Sequence, residues 1–489
     1  MIMGQEWSGF EAVALQAATR ESVREFAERL GVDAKTISNW RTRGRSIQPR
    51  PVTQQLLDTA LARASDAEQE RFRRFISGEE SPGPLLEPRQ DAGATGKEPA
   101  TYGPDMLLTP VDGERAELRT PAGRFFGGTA TAAVVLPAHQ DRGRILATPM
   151  SSLRLDPVLR QSRRSLVVAV VEAEEGSRFY GVDRRHVRSR LMTSHDAAPL
   201  LVPSAYQLDD FSLAILWAVT NLDDALLDDD AVLATTSDRC TPLPGRLYSA
   251  PGPEIAAELS AASRMWLGSD FCARHILSHI GHLTAVPAFW SREQRGEEAS
   301  TWLLFTHKYR YLQRTAELFA TMKTTSMRAF CIPVDTVAAS SVPERVLMQL
   351  TVTLIESFGI RVFVCTEPEY TAVPGFVLDA DRRAIVASWL NTDDIWQVDL
   401  TDNRPTLTEF ADAVGWARAH SILTPQTSYQ RLQQLAEYQR LDWSWLMRRS
   451  REFANYGGAG FTQPRSRLLT LAGLDRACQF LADLEHDAG

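Results

Sequence analysis

The sequence predicts a multidomain chain: an all-α N-terminal domain built on a helix-turn-helix, followed by a mixed α/β and α+β C-terminal region. Three observations carry this expectation. At 489 residues the chain is too long for one ordinary core, and about two to four domains are expected. Residues 77–106 contain five Pro and five Gly with few apolar side chains, a linker composition. Upstream of that stretch apolar residues recur at helical spacing, and downstream strand-like and helix-like segments alternate.

Residues 5–76 read as the N-terminal domain. Ser8 with Glu11, and Ser22 with Glu25, form S-x-x-E capping boxes, in which hydroxyl and carboxylate satisfy each other's backbone N–H groups. After Ser22, Val23, Phe26, Ala27 and Leu30 make an i, i+3, i+4, i+7 stripe. Gly31 closes that helix, and Asp33 is placed to cap a second one carrying Ile37 and Trp40 inward. Pro49 and Pro51 break the chain; Val52, Leu56, Leu57, Ala60 and Leu61 mark another helix, and Phe72, Phe75 and Ile76 a last one. The linker at 77–106, treated as a flexible coil, spans roughly 30 Å.

Charge is unevenly placed. Residues 1–76 hold 12 Lys+Arg against 10 Asp+Glu, a net of +2, which leaves −10 for the rest of a chain whose total is −8. Between 35 and 50 there are five basic residues and no acid. A basic patch on an acidic chain points to a localised polyanion contact. In a helix-turn-helix the second helix presents short polar side chains to base edges. Here Lys35, Thr36, Ser38 and Asn39 lie off the Ile37–Trp40 stripe. Asn pairs with adenine and Lys donates to guanine, each giving about 1–3 kcal/mol of discrimination. Arg41, Arg43 and Arg45 follow where the chain would cross phosphates.

The stretch SVREFAERLGVDAKTISNWRTRG resembles the XRE (lambda-repressor-like) family in its REFAERLGV, KTISNW and RTRG segments. With the following PRPVTQQLLD it is similar to the versions found in actinomycete regulators. The resemblance implies DNA binding, usually as a dimer on an inverted repeat. It also implies a phosphate contact for Arg24, where many members carry Gln. The stretches FSLAILWAVTNLDDALLDDDAVL, MWLGSDFCARHI and REQRGEEASTWLLFTHKYRYL are similar to the long C-terminal regions of such regulators in streptomycete-like genomes, a similarity that implies no activity.

The remaining chain divides into a small β-rich unit at 107–200, a helical unit at 201–326, an α/β unit at 327–420 that is a candidate sensor, and a C-terminal helical segment at 421–489. In the first, GGTATAAVVLPA, RSLVVAVVEA and RFYGVD read as strands, the last two paired around Gly176. Residues 209–228 and 254–325 are mostly helical by period. RAFCIPVD, 343–358, IRVFVCTE, GFVLDADRRAIVASWL and DIWQVDL then alternate between strand and helix.

CARHILSHIGH puts Cys272, His275, His279 and His282 on one helical face. Thiolate and imidazole suit zinc, which makes Cys272, His275 and His279 weak metal candidates. One straight helix cannot close a tetrahedron, and a packed helix face explains the pattern equally; no metal or cofactor is expected. NLDDALLDDDAVL lacks the alternation and mid-loop glycine of a calcium loop and reads as a solvated helix end. No P-loop, G-x-G-x-x-G or G-x-S-x-G occurs, and HKYRYLQR has no matching Asp for a phosphohydrolase site, so no enzyme is expected. WSREQRGEEASTW and FTHKYRY either line a polar ligand pocket or hold inter-helix ion pairs. In parallel sheets ligands sit beyond the carboxyl ends of strands, which makes Asp335 and Glu367 ligand-pocket candidates by position.

Five scattered cysteines without a CxxC pair fit a reducing cytoplasm, and no apolar run reaches the ~18–20 residues of a membrane span. The expected function is a cytoplasmic, nucleoid-associated transcriptional regulator. Its partners would be a double-stranded operator, a second copy of the chain and a small-molecule effector. The rival readings are an α/β enzyme or nucleotide-processing protein recruited to DNA, and a partner-binding regulator without a small-molecule ligand.

Overall fold

The computed structural model describes residues 7–19, 23–32, 36–37, 40, 44, 47–64, 69, 72–73, 75–76, 100–102, 106–112, 115–141, 144–148, 164–172, 176–193, 199–320, 325–380, 382–390 and 396–487. The chain separates into two compact units, 1–96 and 97–489.

The first unit contains α1 (Gly9–Thr19), α2 (Val23–Leu30) and α3 (Pro51–Arg63). Its core gathers Trp7, Leu15, Phe26, Ala27, Leu30, Ile37, Trp40, Leu57 and Phe72 among others. The Ser8 box forms with a shifted arm: Glu11 accepts from the Ser8 N–H at 2.9 Å, while the Ser8 hydroxyl accepts from Phe10 N–H at 3.1 Å. Gly31 ends α2 in the left-handed conformation at φ +63°, where a side chain would be strained. Its N–H donates to Glu28 O at 3.1 Å, and Val32 N–H donates to Ala27 O at 3.0 Å. These two bonds satisfy carbonyls the helix end would otherwise leave open. Trp7 Nε1 donates to Asp58 Oδ1 at 2.7 Å, tying the chain before α1 to α3.

The second unit combines helices with two sheets. The first sheet has β1 (Ala100–Tyr102), β2 (Met106–Asp112), β3 (Arg115–Thr120), β4 (Thr129–Asp141), β5 (Arg144–Ala147), β6 (Ser165–Val171), β7 (Arg178–Asp183) and β8 (Leu200–Val202). β1, lying inside the stretch whose composition reads as linker, pairs antiparallel with β2. β6 is a fully buried run of Val, Leu and Ala that pairs in parallel with β4 and antiparallel with β7. The β6–β7 pair flanks Gly176 as expected from the sequence. α4 (Arg184–Thr193) follows β7 directly.

Then come α5 (Asp210–Asp228), α6 (Asp230–Cys240), β9 (Tyr248–Ser249), α7 (Ala261–His279), β10 (Ala288–Ser291), α8 (Gly296–Leu304), α9 (Thr306–Phe319), β11 (Met327–Cys331), α10 (Val334–Ala339), α11 (Val342–Ser357), β12 (Arg361–Cys365), β13 (Phe376–Asp379), β14 (Arg383–Ser388) and β15 (Gln397–Thr401). The chain ends through α12 (Arg404–Ala419), α13 (Ser428–Tyr438), α14 (Trp443–Tyr456) and α15 (Ala472–Asp487). The second sheet runs β12-β11-β10-β13-β14-β15-β9. β10, β11 and β12 are parallel, joined by α8–α9 and α10–α11, and the remaining strands are antiparallel. Residues 254–325, expected to be mostly helical, thus contain one strand of this sheet. β10 is only four residues long and follows Pro287, too short to show a period.

One face of this sheet packs Trp290, Met327, Ala329, Phe363 and Phe376 on Leu407, Phe410, Ala413 and Val414 of α12. The other face joins an apolar core that runs from Leu108 to Leu481. α11 shows why the buried helices start where they do. Ser341 accepts from Glu344 N–H, Glu344 reaches back to Ser341 N–H, and Pro343 sits in the first turn.

The aspartate run at 221–233 departs furthest from its expected solvated state at Asp223. Asp223 is wholly buried, with Arg164 Nη2 at 2.9 Å and Arg465 Nε at 2.9 Å on Oδ2. Its Oδ1 accepts the backbone N–H groups of Arg465 at 2.9 Å and Ser466 at 2.7 Å. Arg164 also donates to Asp183 at 2.9 Å and to Thr462 Oγ1 at 2.6 Å. Asp223 faces the core because it falls on the buried side of α5, where Val219, Leu222 and Leu226 also point.

Candidate functional site

Among the residues expected to contact DNA, Lys35, Ser38, Asn39, Arg41, Arg43 and Arg45 lie outside the described residues. Thr36 is half-buried, and Arg24 stands on α2. Ile37 and Trp40, expected to point inward, are both buried.

The Cys–His helix face does not converge on one point. His275 Nδ1 lies 2.7 Å from Pro244 O and its Nε2 lies 3.4 Å from Asp399 O, so both ring nitrogens face backbone carbonyls. His279 stacks beside it with ring centroids 4.7 Å apart. Burial pushes both imidazoles below the ordinary histidine value. His282 falls past the helix end in a 3-10 turn. Cys272 lines a cavity beyond the carboxyl end of β10. Among the described residues no group of three or more His, Cys, Asp or Glu side chains is placed to hold a metal ion.

Asp335 is exposed in the first turn of α10. Glu367 is half-buried and accepts from the Thr366 N–H at 3.0 Å. Neither lines that cavity, which opens instead beyond the carboxyl end of β10, the strand hidden from the sequence pattern.

The cavity measures about 60 Å³. Ser291 ends β10, and Arg292 and Glu293 continue into it. β11 supplies Arg328, α7 supplies Ser269 and Cys272, α8 and α9 supply Trp302, Lys308 and Tyr311, and the end of β14 leads to Trp389. Strand register explains the arginine. Phe289 pairs with Arg328 and Ser291 with Phe330, and residues two apart share a face, so these four side chains project toward the helices.

Two buried cations stand here in different surroundings. Lys308 Nζ donates to Glu293 Oε1 at 2.7 Å, and Trp302 Nε1 donates to the same oxygen at 2.9 Å. The ammonium lies 3.9 Å from the Trp302 ring centroid and 4.6 Å from that of Trp389, against the electron-rich faces of both. Burial pulls Lys308 below the ordinary lysine value, and Glu293 opposes that pull. Glu293 Oε2 makes no hydrogen bond among the described residues. Arg328, 3% exposed, donates from Nη1 to Ser291 Oγ at 2.7 Å and from Nη2 to Tyr311 Oη at 3.5 Å. Its guanidinium carbon lies 4.6 Å from the Phe289 ring centroid and 4.7 Å from that of Trp302. Its Nε has no partner, and among the described residues no carboxylate stands within ion-pair distance. Glu293 neutralises Lys308, while the Arg328 charge is left over; the half-buried Arg292 of the lining donates to Leu390 O at 2.7 Å and, among the described residues, likewise has no carboxylate within ion-pair distance.

The chemistry of the other lining groups is quiet. Burial pushes the Cys272 thiol far above its ordinary value, so it stays protonated and poorly nucleophilic. Ser269 Oγ lies 2.7 Å from His307 Nε2, a serine–histidine contact, but His307 Nδ1 has no partner. A general base of that kind needs a third group to fix its tautomer. Beside the cavity, burial pushes Glu298 up to about 7, against Gln294 N–H at 2.7 Å and Arg124 at 3.5 Å, which pull it down. A carboxyl held above its ordinary value binds its proton more tightly folded than unfolded. Its contribution to stability is therefore full in acid and is lost as the pH rises through about 7.

The neighbouring Glu297 carboxylate fills a concavity in the 121–128 loop. It accepts Phe125 N–H at 2.8 Å, and a Cβ at Gly123 would stand 1.4 Å from Glu297 Oε1. A side chain at that position would have to displace the Glu297 carboxylate from the loop.

The segments carrying Glu293, Trp302 and Lys308, read from sequence as a polar ligand pocket or inter-helix ion pairs, line the cavity and hold an ion pair that joins the β10–α8 loop to α9. Arg328 was missed, because an arginine inside a short strand carries no sequence signal of its own. No protein-family model, curated protein or solved structure matches the chain. Among the described residues no helix is long and apolar enough to cross a membrane.

Proposed function

We propose that the chain is a sequence-specific DNA-binding regulator, with residues 5–76 as the DNA-reading head and the cavity beyond β10 as the effector site of the body. The observation that carries the reading is the left-handed turn at Gly31 together with the burial of Ile37 and Trp40 in a separate small unit whose first 76 residues carry a net charge of +2. A recognition helix pinned by those two side chains leaves Lys35, Thr36, Ser38 and Asn39 for base edges and Arg41, Arg43 and Arg45 for phosphates. Arg24 adds a phosphate contact from α2. A head of this size binds weakly alone, so a homodimer on an inverted repeat with half-sites about 34 Å apart is part of the proposal. Such a protein works at the nucleoid, in the cytoplasm.

The test is binding of the full chain to duplex DNA across a salt series. Affinity is expected to fall steeply with salt. Arg43→Ala is expected to weaken all sequences alike and make the log–log slope shallower by about one. Binding that ignores salt, or a slope unchanged in the variant, would overturn the assignment.

A further inference from the structure

We propose that the cavity beyond β10 binds a small monocarboxylate, held by the Arg328 guanidinium between aromatic walls. The inference rests on the effector reading only for its regulatory meaning; the site itself stands on geometry.

Arg328 is buried, forked and aimed into the cavity, with Nε unpartnered and no carboxylate in reach among the described residues. A buried charge without a counter-ion is costly, and its remaining contacts are two neutral hydroxyls and three aromatic rings. A planar oxyanion matches the fork of the guanidinium with two parallel hydrogen bonds. Lys308 does not compete for this role, because Glu293 already neutralises it.

Charge and size narrow the class. The uncompensated Arg328 and Arg292 of the lining call for an anion, and the small volume leaves room for one carboxylate and not two. A volume of about 60 Å³ is the share of roughly two waters and fits a carboxylate with one or two further heavy atoms. Phe289 and the indoles of Trp302 and Trp389 give the apolar end of such a ligand its wall. A hydroxyl on the ligand would find Glu293 Oε2 as acceptor, which favours glycolate over acetate.

The experiment is calorimetric titration of the full chain, without DNA, against acetate, glycolate, nitrate, chloride and succinate. Acetate and glycolate are expected to bind saturably at one site per chain, glycolate more tightly, with succinate weaker. Arg328→Met should weaken both carboxylates roughly tenfold to a hundredfold, the loss expected for hydrogen bonds to a charged group. Removing an unpaired buried charge should leave the fold intact, which circular dichroism checks. Should that variant fail to fold, Arg328→Lys keeps the charge and loses the fork, and weaker, saturable binding is expected.

The proposal is overturned if no carboxylate saturates the wild type, if Arg328→Met binds as the wild type does, or if nitrate and chloride bind as tightly as acetate. The effector reading fails separately. Carboxylate binding that leaves DNA affinity unchanged would remove the regulatory role and keep the site.

Discussion

Replacing Lys308 by Met is expected to destabilise the second unit by about 3–5 kcal/mol, because it leaves the Glu293 carboxylate buried without its counter-ion. The Trp302 indole continues to donate to Glu293, but one neutral donor does not offset a desolvated charge. The double variant Lys308→Met with Glu293→Gln is expected to recover most of the loss, since replacing both partners removes the uncompensated group. Urea unfolding followed by tryptophan fluorescence reads this unit. Trp7 and Trp40 lie in the head and the other nine of eleven tryptophans in the body. A single-variant loss below about 1 kcal/mol would mean that the pair behaves as an exposed one does.

Asp223→Ala is expected to cost a similar amount, about 3–5 kcal/mol, for a different structural reason. Asp223 gathers two guanidinium groups and two backbone N–H groups at one wholly buried carboxylate. It thereby ties the end of β7, through Arg164 and Asp183, to the 462–466 segment that precedes α15. Removing it takes away the carboxylate that Arg164 and Arg465 share and leaves the segment held only through Arg164, Asp183 and Asp224. Limited proteolysis is expected to cut near Arg465 and Arg467 in the variant long before global unfolding. Asp223→Asn keeps one acceptor for the backbone N–H groups and should lose less. Equal protease resistance of wild type and Asp223→Ala would show that the network does not hold the segment.

The sequence made some elements legible and hid others for identifiable physical reasons. α2 and its Gly31 stop could be read because a stripe of four apolar residues, a glycine and the local bonds all act within one helix. β6 and β7 could be read for the same reason: a continuous buried run followed by a turn glycine is local information. β10 could not, since four residues show no period and its place in the sheet is set by partners some forty and ninety residues further on. The cavity depends on that strand, so candidates chosen from the recognised strand ends, Asp335 and Glu367, fell elsewhere. Asp223 illustrates the opposite limit. Five aspartates in thirteen residues look solvated, and only the distant Arg164 and Arg465 make one of them a core residue.

Residues 35–39 are proposed to choose a DNA sequence. Selection from a pool of random duplexes by the full chain, compared with the Lys35→Ala, Asn39→Ala double variant, tests it most directly. The wild type is expected to enrich an inverted repeat with half-sites about one helical turn apart and the variant none, while both bind unselected DNA. Enrichment of the same sequence by both proteins, or of no sequence by the wild type, would contradict it.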